Sequence, residues 1–203
     1  MKTVLTVVLA LLLFPFHSPS QEYRSAKEAK GLPVGIKAPD FTAIDQYGQP
    51  FTLSEQLKKG PVVVVFYRGF WCPVCNRHLG ILQDSLSLIE AAGASVVAVS
   101  PEKPEYLEKM ADQTGATFTL LYDDGYRISD AYDVTFRPGK TTLVLYNVFA
   151  SADLKETHSD DSERLPIPAT YIVDPNGTIV WRQFDPDYKK RSTVKDILKA
   201  LSR

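Results

Sequence analysis

Hydrophobic positions fall into blocks that alternate between two periods along this chain. Residues 62–67 form an unbroken β-branched run ending in Phe66 and Tyr67, the pattern of a central strand covered on both faces. Residues 73–92 follow with Leu79, Leu82, Leu86 and Ile89 spaced three, four and three, which predicts one helix with a single buried stripe. Pro73 suits the first turn of that helix, where its missing N–H costs nothing, and Gly93 stops it. Next come a strand at 95–100, a helix at 103–113, a strand at 117–122 and a short helix at 126–132. This β-α-β-α-β alternation predicts a parallel sheet with right-handed crossovers. Before it, residues 41–44 and 49–53 flank an Asp45–Gly48 turn and read as a hairpin. A short helix capped by Ser54 follows, ended by Gly60-Pro61.

After it, residues 141–146 read as a strand, 147–154 as a helical turn and 155–164 as a polar surface loop. Residues 169–173 and 178–184 are strands joined by Asp174-Pro175-Asn176-Gly177, a strong hairpin signal, and 192–201 close the chain as an amphipathic helix.

The first residues stand apart. Met1-Lys2 is followed by an apolar run at 4–16 and a polar exit through Ser18 and Ser20. The run is shorter than the roughly 20 residues needed to span a bilayer. It reads as an export signal covering 1–20, cleaved after Ser20, with a retained anchor as the alternative. Residues 21–32 are expected to be a flexible lead-in and 33–203 one domain. Removing Lys2 leaves 22 basic against 24 acidic residues, with no basic patch to suggest nucleic acid.

Cys72 and Cys75 are the only cysteines. They stand where the strand hands over to the helix, in Phe66-Tyr67-Arg68-Gly69-Phe70-Trp71-Cys72-Pro73-Val74-Cys75. A helix N-terminus favours a thiolate, the species that attacks disulfides and peroxides. A bridge between them would close a tiny loop and stabilise little, so reversible redox chemistry is the better reason to have them. Trp71 is a candidate wall beside the thiols, and Arg68 either pairs with a surface carboxylate or lowers a thiol pKa. His78 lies three residues past Cys75 and raises a rival zinc site with the two sulfurs, and the soft Cys ligands raise a second alternative, a non-enzymatic Cu(I) carrier on a thioredoxin fold. The ligand count is short for a metal, so His78 is expected as a partly exposed residue that adds positive charge, and no cofactor is expected. Asp123, Asp124, Asp160 and Asp161 read as solvated surface, and no acid lies in the strand beneath the thiols.

Three segments together resemble the alkyl hydroperoxide reductase/thiol-specific antioxidant family, the peroxiredoxins and their relatives. They are Gly35–Phe41 with Asp45–Gly48, the run from Val62 to Cys75, and Pro168-Ala169-Thr170-Tyr171-Ile172-Val173-Asp174-Pro175-Asn176-Gly177. The resemblance implies an α/β thioredoxin-like fold: a central mixed sheet flanked by helices, with an N-terminal β-hairpin extension. It implies an antioxidant enzyme acting on peroxides or protein disulfides and recharged by an external dithiol donor. Two departures matter. Cys72 stands where peroxiredoxins carry a Thr, and Pro168 stands where they carry a peroxide-binding Arg. A proline at that place resembles the cis-proline of thioredoxins, so a cis Ile167–Pro168 bond is expected. Two cycles stay open. Thioredoxin-like exchange makes Cys72 the attacker, as the more exposed sulfur; peroxiredoxin-like chemistry makes Cys75 the attacker and Cys72 the resolver.

Overall fold

The computed structural model describes residues 24–202, so the 1–20 segment lies outside the described residues. A hairpin of β1 (Thr42–Ile44) and β2 (Pro50–Thr52) leads into α1 (Leu53–Leu57). Strand β3 (Val62–Phe66) is followed by α2 (Pro73–Asp84), α3 (Leu86–Ala91), β4 (Ser95–Ser100), α4 (Pro104–Thr114) and β5 (Thr119–Tyr122). Then come α5 (Arg127–Ala131), β6 (Thr135–Phe136), α6 (Lys140–Val144), α7 (Leu154–Thr157) and β7 (Leu165–Pro166). The chain finishes with β8 (Ala169–Val173), β9 (Ile179–Phe184) and α8 (Val194–Leu201).

Five strands form the central sheet in the order β5-β4-β3-β8-β9. β3, β4 and β5 run parallel, and β8 and β9 are antiparallel to their neighbours, so the sheet is mixed. Every residue of β3 is fully buried. Alternation sends Val63 and Val65 to one face with Leu79, Leu82, Ile89 and Ile197 of the helices, and Val62, Val64 and Phe66 to the other with Leu53, Ile128 and Tyr171. A strand flanked on both sides and capped on both faces is the most rigid base available for a site at its end.

The structure departs from the sequence reading in several places. The long helix breaks at Ser85, whose ψ of 10° leaves the helical range. The expected strand at 141–146 is instead α6 running into a π-helical turn, Leu145–Phe149. Thr141, Thr142 and Val144 look strand-like, but Leu143 turns into the core while Val144, Leu145 and Val148 face solvent. The 155–164 loop is partly α7, and His158 within it is buried.

Asp123 is also buried, accepting from the N–H groups of Ile128 and Ser129 at the start of α5. The stretch 24–32, expected to be a flexible lead-in, is fastened to the domain. Arg182 donates to the carbonyls of Lys30, Gly31 and Leu32, and the Tyr171 hydroxyl accepts from Leu32 N–H. Gly31 sits at φ +61°, and a Cβ there would meet Tyr171 Oη at 2.6 Å, so only glycine allows this approach. The described residues contain no cis peptide bond; Ile167–Pro168 takes the lower-energy trans form.

Leu79 ties α2 to the sheet and is fully buried. Leu79→Ala should cost about 2–5 kcal/mol of unfolding free energy, read as a lowered midpoint in urea denaturation of the reduced protein.

Candidate active site

β3 ends at Phe66, and seven residues later α2 begins at Pro73, which occupies the first turn. Cys72 is the N-cap, and its carbonyl accepts from Cys75 and Asn76 N–H. One helical turn therefore brings the sulfurs to 2.8 Å, as free thiols in bonding reach. Both are buried: Cys72 is 1% exposed and Cys75 0%. The expectation that Cys72 is the exposed sulfur is corrected, because its own loop folds back over it.

That cover is built from cations and aromatic rings. Arg68 Nη2 donates to Cys72 Sγ at 3.5 Å, and its Nη1 donates to the Tyr146 hydroxyl at 2.8 Å. Its guanidinium stacks 4.0 Å from the Tyr188 ring, with Trp71 and Tyr146 at 5.3 and 5.0 Å. Arg68 is thus buried against a sulfur rather than paired with a surface carboxylate. Arg191, from the loop before α8, donates from Nη2 to Cys75 Sγ at 3.4 Å, and its Nε is held by the Tyr188 carbonyl. Each sulfur has its own guanidinium.

Burial alone would keep both thiols neutral. For Cys75 burial is outweighed by the contact with Cys72 and by Arg191 and Arg68, and its pKa falls well below the usual value. For Cys72 the contact with Cys75 and burial push it up, so the pair gives up one proton readily and the second with difficulty.

Against the loop that leads into the pair lies an acid that the sequence reading missed. Glu102 is fully buried; its Oε2 accepts from Phe70 N–H at 2.9 Å, and its Oε1 has no partner. A Cβ on Gly69 would lie 2.4 Å from that oxygen, so glycine is required where the loop crosses the carboxyl. Burial, only partly offset by Phe70 N–H, raises Glu102 well above the usual carboxylate range, and Cys75 adds to the rise. It is held neutral.

His78 is corrected too. It is buried, its Nε2 meets the Ser192 carbonyl and hydroxyl, and burial with the charge of Arg191 lowers its pKa to about 4. It is neutral and turned to Ser192, and no three His, Cys, Asp or Glu among the described residues are placed to share a metal. Trp71 is buried and packs on Tyr146. Pro168 is buried, level with Tyr67 by the pairing of Val65 with Thr170, at the end of the sheet that carries the cysteines.

A mixed sheet with two facing cysteines at the head of the helix after its central strand defines a thioredoxin-fold thiol enzyme. The chain belongs to the AhpC/TSA family, which it matches over residues 34–182. It is 30% identical over 183 residues to chloroplastic peroxiredoxin Q of Sedum lineare, covering 89% of this chain and 86% of that one. It is 26% identical over 164 residues to the thiol-disulfide oxidoreductase ResA of Geobacillus thermodenitrificans, covering 76% and 93%. The structure of peroxidoxin BcpB from Mycobacterium tuberculosis superposes with a TM-score of 0.65 at 21% identity, covering 84% of this chain and 97% of that one. The enzyme class is that of thiol peroxidases and thiol–disulfide oxidoreductases. This sets aside the metal-carrier alternative.

Glu102 yields a pH prediction. Its folded pKa lies above the unfolded value of about 4.3, so the unfolded chain loses the proton first and stability falls as pH rises through that window. Glu102→Gln removes this loss. Its stability relative to wild type should improve between pH 4 and pH 7 in chemical denaturation; an unchanged difference contradicts the assignment.

Proposed function

We propose that this protein is an exported two-cysteine peroxidase in which Cys75 attacks a peroxide and Cys72 resolves the product. The observation that carries the reading is the burial of both sulfurs beside two guanidinium groups. A peroxide is small enough to enter such a site with its cover closed, whereas a folded protein's disulfide meets a sulfur only once the cover opens. The cations supply the charge stabilisation that the family pattern places on the Thr and Arg replaced here by Cys72 and Pro168.

In the first step the Cys75 thiolate attacks one peroxide oxygen and the O–O bond breaks. The leaving alkoxide takes a proton and departs as alcohol, or as water when the substrate is hydrogen peroxide. Glu102, neutral and buried next to the loop, is the acid that supplies that proton. Cys75 is left as sulfenic acid. Cys72 then attacks it, water leaves, and a Cys72–Cys75 disulfide remains. An external dithiol reduces the bridge, becoming a disulfide itself and returning two thiols. That second half needs the cover of Tyr146 and Tyr188 to open, since the donor must reach a sulfur. Peroxiredoxins in general draw on thioredoxin-like reductants, and the same class of donor is assigned here. Export rests on the apolar 4–16 run and its polar exit.

Stopped-flow mixing with hydrogen peroxide separates the roles. Cys72→Ser should keep the fast reaction and accumulate a sulfenic acid trapped by dimedone, while Cys75→Ser should lose the fast phase by at least about 100-fold, the scale of a lost catalytic group. The opposite pattern, with Cys72 essential and peroxide inert, assigns the enzyme to disulfide exchange instead.

A further inference from the structure

A groove of about 820 Å³ runs beside the cysteines, between α2 and residues 189–194. It is walled by one stripe of α2: Pro73 and Val74, then Arg77 and His78, then Ile81, then Ser85. At about 1.5 Å per residue the stripe is ~18 Å long. The groove falls within the roughly 300–1,000 Å³ of small-molecule sites.

Its chemistry is mixed. The lining carries three cations, Arg77, Lys189 and Arg191, of which Arg191 touches Cys75, and no lining residue is acidic. Apolar side chains share the wall: Pro73 and Val74 beside the cysteines, Ile81, 47% exposed, and Val194. His78 is neutral and bound to Ser192, so it adds no charge. Arg191 both lines the groove and touches a sulfur. Its Nε is on the Tyr188 carbonyl and its Nη2 on Cys75 Sγ, while its buried Nη1 has no partner.

We propose that this groove binds a small organic anion with an apolar chain, head on Arg191, Arg77 and Lys189 and chain along Ile81 and Val194, and binds it more tightly once Cys72 and Cys75 are joined as a disulfide. The reason is electrostatic competition. In the reduced protein Arg191 has an anionic partner, the Cys75 thiolate. Oxidation by a peroxide takes two electrons and the one remaining proton, that of Cys72, from the thiolate–thiol pair; with a second proton supplied by Glu102 they appear in the water and alcohol formed. The sulfur then carries no charge, and Arg191 is left partly buried without a counter-ion. An anion entering the groove supplies one. Linkage requires the converse: the anion must stabilise the disulfide over the dithiol by the same factor.

The proposal rests on a thiolate at Cys75 in the reduced state, and the test separates the two. Sodium octanoate is titrated calorimetrically into the reduced protein, the peroxide-oxidised protein and Cys75→Ser, with octan-1-ol as the uncharged control. Octanoate should bind the oxidised protein and Cys75→Ser at least about 5-fold more tightly than the reduced protein, the lower end of typical coupling. Octan-1-ol should show no such difference. Arg191→Met should erase the difference, and Ile81→Asp should weaken octanoate in every form, both variants first shown folded by circular dichroism. Failure to form a disulfide would count against the peroxidase cycle and leave the Cys75→Ser comparison as the test of the groove. Cys75→Ser binding no tighter than reduced protein, octanoate failing to bind, or Arg191→Met keeping the difference would overturn the proposal.

Discussion

Two buried sulfur atoms held 2.8 Å apart, with a guanidinium on each, constrain everything else around the end of β3. Neither a bare thiolate nor a bare guanidinium is tolerable when buried. Together they offset one another, and the surrounding rings of Trp71, Tyr146 and Tyr188 keep water from screening the attraction. The rigid sheet beneath fixes where the sulfurs stand. The loop above carries the cations that decide which of them ionises.

The same constraint accounts for residues far from the motif. Glu102 follows β4 and reaches across to hold the loop at Phe70. Tyr146 comes from a π-helical turn and holds Arg68 by its hydroxyl. Tyr188 stacks on Arg68 with its ring and accepts from Arg191 with its carbonyl, so one residue positions both cations. Moving any of these elements changes the charge at the sulfurs, which is how packing at the rim becomes chemistry at the centre.

The features legible in the sequence were those whose cause is local. The β-branched run of β3, the stripe of Leu79 and Leu82 and the proline at the head of α2 each declare themselves within a few residues. The cysteine pair was legible for the same reason. Arg191 was not, because 116 positions separate it from Cys75 and nothing in a basic loop distinguishes a buried arginine from a solvated one. Glu102 is not legible from β3, because the acid comes from just past the end of the neighbouring strand β4. A glutamate in Ser100-Pro101-Glu102, just past an apolar strand parallel to β3, was the signal available. His78 and the 155–164 loop read as exposed because polar residues usually face water; Ser192 gives His78 a partner inside, and Tyr126 does the same for His158 within that loop.

The most direct test follows the ultraviolet absorbance of thiolate in the fully reduced wild-type protein from pH 4 to pH 10. One thiolate per chain should appear well below about pH 8.5, the free-cysteine value, with the second resisting ionisation across the range. Two thiolates rising together at or above that value would contradict the account.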